Sequence, residues 1–254
     1  MDSAIPSFAV LCLLAAFALQ PGSAASAGEA QQKKLRVVVF GAHCDDPETG
    51  AGGLIATLTQ AGHEVICAYA TTFRGNRKIK GQPEDTVRRA ESTAACKVLG
   101  ATPKFFPYAH EKLWADPDTI KSVSAWFEDV KPDVVVAHWP FDTHPNHHVV
   151  GSLTWLCYKK EGGWNLYFYE VYTDIQSLGF RPELYLDIEP VLDIKKRAVD
   201  CIVSQDPAEL WKMHDGMHRR RGKACGRKRA EAYFLLEAKK GCPLLPVRFI
   251  EATQ

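Results

Sequence analysis

No charge of one sign dominates this sequence: 31 Lys and Arg stand against 30 Asp and Glu in 254 residues, for a net charge of +1. Without a broad positive field there is little to hold a phosphate backbone, which argues against general nucleic-acid binding. The one local basic run, Arg219-Arg220-Arg221, reads as a solvated helix face. Long apolar runs are also scarce. The longest, Phe8 to Leu19, has twelve residues, too few to span a bilayer. The eight cysteines form no Cys-x-x-Cys pair, so neither a cysteine zinc site nor a disulfide framework can be read from their spacing. No repeat and no Pro/Ser-rich linker divides the chain. The remaining composition, 46% hydrophobic and 24% charged, is that of an ordinary globular protein rather than a disordered or fibrous one.

The Phe8–Leu19 stretch is followed by small residues at Gly22-Ser23-Ala24-Ala25 and reads as a secretory signal peptide, although its leading segment holds Asp2 and no Lys or Arg. The expected organisation is a signal over 1–24, a disordered segment over 25–34 and a single domain over 35–254. A secreted or periplasmic location follows, with no membrane span left after cleavage. Cys67, Cys96 and Cys157 sit in apolar strand or helix patterns and read as small buried hydrophobes.

Leu35 to Phe40 is a β-branched run followed by a polar, glycine-bearing turn and a helix from Leu54 to Gly62. The unit recurs: a strand over Glu64–Ala70, then a helix over Glu84–Leu99 with Pro83 before it and Gly100 as its stop. A short strand at Lys104–Phe106, a helix over Thr119–Val130, a strand over Asp133–His138 and a helix from about Asn146 follow. Near-continuous apolar strands alternating with helices predict an α/β fold, a Rossmann-like and mostly parallel sheet with helices on both faces. Beyond Gly162 the pattern predicts strands over Trp164–Tyr172 and Leu184–Ile188, and helices around Val191–Val203 and Lys228–Ala238.

In such sheets ligands bind beyond the carboxyl ends of the strands. Two polar clusters stand there. Gly41-Ala42-His43-Cys44-Asp45-Asp46-Pro47-Glu48 follows the first strand. A nucleotide site is a poor reading of it, because Ile55 stands where the third fingerprint glycine belongs and two carboxylates occupy the place of a pyrophosphate. An imidazole beside two carboxylates can hold a divalent metal with one carboxylate left for a water; the plainer alternative is a helix N-cap. The second cluster, His138 to His148, holds four of the chain's nine histidines in eleven residues. Emerging from the same end of the same sheet, the two together point to a metal centre.

His43-Cys44-Asp45-Asp46 resembles the His-Pro-Asp-Asp motif of the LmbE/PIG-L family of zinc-dependent de-N-acetylases, and His144-Pro145-Asn146-His147 resembles its His-Pro-Asp-His motif. Arg88-Arg89-Ala90-Glu91 with Leu99-Gly100, Leu186-Asp187-Ile188, Lys195, Ser204-Gln205 and Ala230-Glu231-Ala232 are similar to later landmarks, so the resemblance covers nearly the whole mature chain. It implies a three-layer domain in which His43, Asp46 and His147 bind zinc or another divalent metal, Asp45 is the general base and His144 assists the transition state. It also implies a small N-acetylated sugar as substrate, with Arg88 and, more weakly, Arg74 contacting it. Arg88 is equally placed for a helix salt bridge with Glu84 or Glu91.

Three positions depart from the motifs: Cys44 for proline, Pro47 for a glutamate, and Asn146 for an aspartate. A neutral Asn146 can orient a histidine but lends it no charge, which predicts a less basic His144. Cys44 can ligate a soft metal in principle, but His43 and Asp45 compete for the same turn. Asp142 reads as a turn residue or as a partner of a ligand, the turn being the simpler reading. The expected function is a zinc-dependent hydrolase that removes an acetyl group from an N-acetylated amino sugar or related glycoside. The alternative is a catalytically weak carbohydrate-binding protein that keeps the metal site. Oligomeric state is not legible.

Overall fold

The computed structural model describes residues 33–172 and 175–252. The expected signal over 1–24, and nearly all of the segment 25–34, lie outside the described residues. The described residues from Lys34 onward form one compact unit. Its centre is an eight-stranded sheet, in the order β10-β8-β9-β7-β6-β1-β2-β5. The strands are β1 (Arg36–Gly41), β2 (Glu64–Phe73), β5 (Thr102–Ala109), β6 (Val134–His138), β7 (Asn165–Tyr169), β8 (Leu184–Asp187), β9 (Ala230–Leu235) and β10 (Ile250–Glu251). A two-residue hairpin, β3 (Lys78–Ile79) with β4 (Gln82–Pro83), stands apart. The helices are α1 (Asp46–Gln60), α2 (Glu84–Leu99), α3 (Pro117–Val130), α4 (Pro145–Glu161), α5 (Leu192–Asp200) and α6 (Pro207–Ala224).

Strands β5, β2, β1, β6 and β7 are parallel, while β9, β8 and β10 complete the sheet antiparallel. Both faces of β1 are buried, which is why its residues are apolar without alternation. Val37 and Val39 join one core with Leu54 and Ile55 of α1, Ala95 and Leu99 of α2, and Ala198 of α5. Val38 and Phe40 join the other with Val123 and Phe127 of α3 and Val150 and Leu153 of α4. No helix among the described residues is long and apolar enough to cross a membrane.

Local chemistry sets the helix ends. Gly100 ends α2 in the left-handed conformation at φ 74°, and Asp116 caps α3 by accepting from the Thr119 amide at 2.8 Å, with Pro117 as the first helical residue. Two expectations fail. Lys228–Ala238 is not helical: Ala230–Leu235 is strand β9, between β7 and β8. Its residues alternate between the two cores, Tyr233 and Leu235 on one side and Ala230, Ala232 and Phe234 on the other, so the period is two, and Glu231 is buried. Helix α1 also begins eight residues before Leu54, because tertiary burial overrides the poor helix propensity of Gly50, Gly52 and Gly53.

Candidate active site

The sheet order reverses direction at β1. From β1 the chain proceeds through β2 to β5 on one side, and then crosses to β6 and β7 on the other. A crevice opens at such a switch point, beyond the carboxyl ends of β1 and β6. The two polar clusters leave from those ends, which is how residues about a hundred positions apart meet.

The first cluster is a tight turn held by its neighbours. The Ala42 amide donates to His138 Nε2 at 3.0 Å, and the Ala42 carbonyl accepts from the Thr71 amide and hydroxyl. Gly41 must lack a side chain here, since a Cβ would lie 2.6 Å from Pro47 Cδ. Pro47 falls in the first turn of α1, where its missing N–H costs no hydrogen bond. Asp46 turns back to accept from the His43 amide at 2.7 Å. Asp45 precedes the helix, but its side chain makes no capping bond, so the N-cap reading does not hold for it. The second cluster opens α4: Pro145 is its first residue, and His144 is the cap, its Nδ1 accepting from the Asn146 amide at 3.3 Å.

Across the crevice, His43 Nδ1 lies 3.1 Å from His147 Nε2 and 3.3 Å from Asp46 Oδ2, and His147 Nε2 lies 3.4 Å from Asp46 Oδ1. Ligands bound tetrahedrally at the usual 2.0–2.1 Å stand about 3.3–3.4 Å apart; the three pairwise separations are of that order, although His43 faces one Asp46 oxygen and His147 the other. Overlapping donor sets, His43/His144/His147, Asp46/His138/His147 and His43/Asp45/Asp46, each fall within 4.8 Å. His138 packs face to face on His147 and places Nε2 3.0 Å from Asp46 Oδ2.

The electrostatics follow. Burial pushes Asp46 up, yet the imidazoles of His147, His138 and His43 hold its carboxyl well below the usual range. Burial works against a charged His147, but Asp46 and Asp142 outweigh it and raise the imidazole to about 10. A cation binding there must displace that proton. His144 is lowered to about 4, first by burial and then by the neighbouring His43 and His147.

Asp45 stays outside this trio and faces Arg88 Nη2 at 3.4 Å. Arg88 is buried, with Ser204 Oγ at 3.4 Å and, with the Gln205 amide turned, that oxygen at 2.6 and 2.9 Å. Neither helix salt bridge foreseen for it forms: Glu84 meets Arg77 and the Arg74 amide, and Glu91 holds Ser204. Arg74 is exposed at the cleft wall, with Nε on His110 Nδ1 at 3.2 Å.

The contacts bear on several of the sequence readings. Asp142 is more than a turn residue: its Oδ1 faces His147 Nδ1 at 3.3 Å, and it accepts from the His144 amide and Ser177 Oγ. Asn146 reaches His43 rather than His144, with Nδ2 3.3 Å from His43 Nε2. If His43 gives Nδ1 to a metal, Nε2 carries the proton and the Asn146 carboxamide turns its oxygen to it. Burial and the neighbouring imidazoles, not Asn146, account for the lowered His144. Cys44 is buried, burial pushes its thiol up, and it belongs to none of the candidate donor sets among the described residues. The basic run is not all solvated: Arg221 makes a two-pronged bond to buried Glu170 at 2.5 and 2.7 Å, whereas Arg219 is exposed on Asp215.

The cleft also holds residues that sequence reasoning missed. His110, from the turn after β5, stacks on His43 at 4.5 Å. Gln176, Leu210, Met213 and His214 form the wall from the C-terminal half. No spacing tied these scattered positions to the motifs. His148, counted in the histidine cluster, instead meets the Pro140 carbonyl at 2.5 Å and lines a separate aromatic groove.

Residues 38–158, which carry both clusters, match the family described as PIG-L, GlcNAc-PI de-N-acetylase. The chain is 27% identical over 207 residues to the 4-oxalmesaconate hydratase of Pseudomonas putida, covering 73% of this chain and 79% of the relative. It is 25% identical over 196 residues to the diacetylchitobiose deacetylase of Thermococcus kodakarensis, covering 70% and 73%. The N,N'-diacetylchitobiose deacetylase of Pyrococcus horikoshii, solved with an inhibitor, shares the fold at a TM-score of 0.69 and 20% identity, covering 79% of this chain and 83% of that one.

Proposed function

The chain carries a PIG-L/LmbE family domain, and from that premise we propose that it is a metal-dependent de-N-acetylase acting on a small N-acetylated amino sugar or related glycoside. The observation that carries the reading is the meeting of His43, Asp46 and His147, whose facing atoms lie 3.1–3.4 Å apart pair by pair, with a second carboxylate, Asp45, beside them. The deacetylase relatives support the amide chemistry.

His43, Asp46 and His147 would hold the ion, zinc being the metal that suits two imidazoles and a carboxylate with an open position. When bound, a divalent ion supplies Lewis acidity, which makes water a nucleophile near neutral pH and polarises a carbonyl. Asp45 takes the proton of the attacking water, its carboxylate anchored by Arg88 at 3.4 Å. This makes Arg88 a holder of the base as well as a candidate substrate contact. His144 is neutral in the resting protein; with Nδ1 accepting from the Asn146 amide, its Nε2 carries the hydrogen and serves as a neutral donor to the developing oxyanion. The leaving amine takes its proton from Asp45, which received it from the attacking water, while the neutral His144 only donates its hydrogen bond. Arg74 and His110 line the cleft, which supports a role for them in contacting the sugar. Export, as read from residues 1–24, puts the substrate in the envelope or surroundings.

The hydratase relative favours a second reading, water addition to an unsaturated acid. Screening N-acetylated mono- and disaccharides for acetate release, with metal content measured on the same sample, separates the two. Stoichiometric divalent metal and chelator-sensitive acetate release are expected. Sugar binding without acetate release supports the carbohydrate binder instead, and hydration of an unsaturated acid without amide cleavage supports the hydratase.

A further inference from the structure

Two features serve no purpose in the cleft: the glycine-rich stretch Gly50-Ala51-Gly52-Gly53, and Lys195, a cation with no exposed surface. They meet. In an α-helix the Gly53 amide and the Thr49 carbonyl are the two ends of one turn. Lys195 Nζ donates to the Thr49 carbonyl at 2.7 Å, while Glu231 Oε1 accepts from the Gly53 amide at 2.7 Å and Oε2 from the Leu54 amide at 2.8 Å. Lys195 and Glu231 are themselves paired, so one ion pair from α5 and β9 grips a single turn of α1 by carbonyl and amide at once.

The grip is fully satisfied. The three ammonium protons of Lys195 have Thr49, Glu231 and His218 Nε2 (3.0 Å) as acceptors, and Tyr233 donates its hydroxyl to Glu231 at 2.7 Å. It needs a helix face without side chains. A Cβ at Gly52 would lie 3.1 Å from Lys195 Cγ, and one at Gly53 would lie 2.9 Å from Glu231 Oε1 and 2.4 Å from Ile188 Cγ2. Gly50 similarly admits the Tyr169 ring, which would be 2.4 Å from its Cβ. The gripped residue then reaches the site: the Thr49 amide and hydroxyl both donate to the Asp45 carbonyl, at 2.9 and 2.8 Å.

Buried ion pairs add little stability over well-packed apolar groups, so this arrangement is better explained by the geometry it enforces. We infer that Lys195 and Glu231 are positioning residues that hold the first turn of α1, and through Thr49 the Asp45–Asp46 turn, in its metal-binding register. The inference rests on the site reading above.

Lys195→Met with Glu231→Gln tests it, because removing both charges together leaves no unpaired ion in the core. Chelator competition gives the zinc Kd, thermal unfolding the integrity of the fold, and acetate release kcat and KM. The double variant should unfold near the parent midpoint yet bind zinc about 10- to 100-fold more weakly, the effect typical of losing support behind a ligand, with a loss in kcat rather than KM. Parental zinc affinity and kcat in the folded double variant would overturn the inference alone. A parent that binds no divalent metal overturns the site reading and the inference with it. Should the double variant not fold, Gly52→Ala decides: pressing a methyl on Lys195 with every charge in place should weaken zinc binding, and an unchanged Kd counts against the inference.

Discussion

Asp142→Asn isolates one charge in the proposed metal centre. The substitution keeps the shape of the side chain, and its oxygen can still accept from the His144 amide, so the turn before α4 should hold. What goes is a negative charge 3.3 Å from His147 Nδ1. Between the dielectric of water and an effective value near 20, that charge attracts a unit positive charge on the ring by about 1–5 kcal/mol. The ion brings two positive charges and displaces one proton from His147, so the net attraction lost is that of a single charge. Carboxylates behind metal-bound histidines usually contribute about 10- to 100-fold in affinity, or about 1.4–2.7 kcal/mol, inside that bracket. Zinc affinity by chelator competition at pH 7 should therefore fall by this factor while the unfolding midpoint moves little. An unchanged Kd in the folded variant would mean that Asp142 is only a turn residue, and the electrostatic account of His147 would be wrong.

Asp45→Asn should lower turnover by about 10²–10⁴-fold, the usual contribution of a general base, with zinc content retained; residual activity near the parent's would remove Asp45 from the reaction. Burial lowers His214 to about 3. Its folded form is thus neutral where the unfolded chain binds a proton, and stability is lost as pH falls from about 6.5 towards 3, by up to about 1.4 kcal/mol per pH unit. Chemical denaturation at pH 5 and 7 should show a shallower acid loss in His214→Gln than in the parent, and parallel profiles would refute the assignment. Arg221→Ala removes the two-pronged bond to buried Glu170 and should cost more than Arg219→Ala, which on the exposed face should cost under about 1 kcal/mol. Equal effects would restore the reading of the basic run as a solvated face.

Much of the parallel half was legible in the chain. Runs such as Val37–Phe40 and Val134–Ala137 are apolar on both faces because helices cover both, and α2 carries its own stop at Gly100. The dense polar clusters at two strand ends marked where the site lies, and the resemblance to the family motifs singled out His43, Asp46 and His147 within them. The antiparallel half was harder, since β9 spans six residues, and a buried Glu231 looks the same in sequence as an exposed one.

By itself, then, the chain determined the alternation of strand and helix and the chemical inventory of two turns, because those depend on neighbours within a few residues. Tertiary structure alone decided what each group faces. It turned Asp142 towards His147, sent Asn146 to His43, drew His110 and His214 into the cleft, and closed Lys195 and Glu231 on the glycine face of α1. Those contacts join residues far apart in sequence, and their burial and charge balance exist only once the sheet has brought them together.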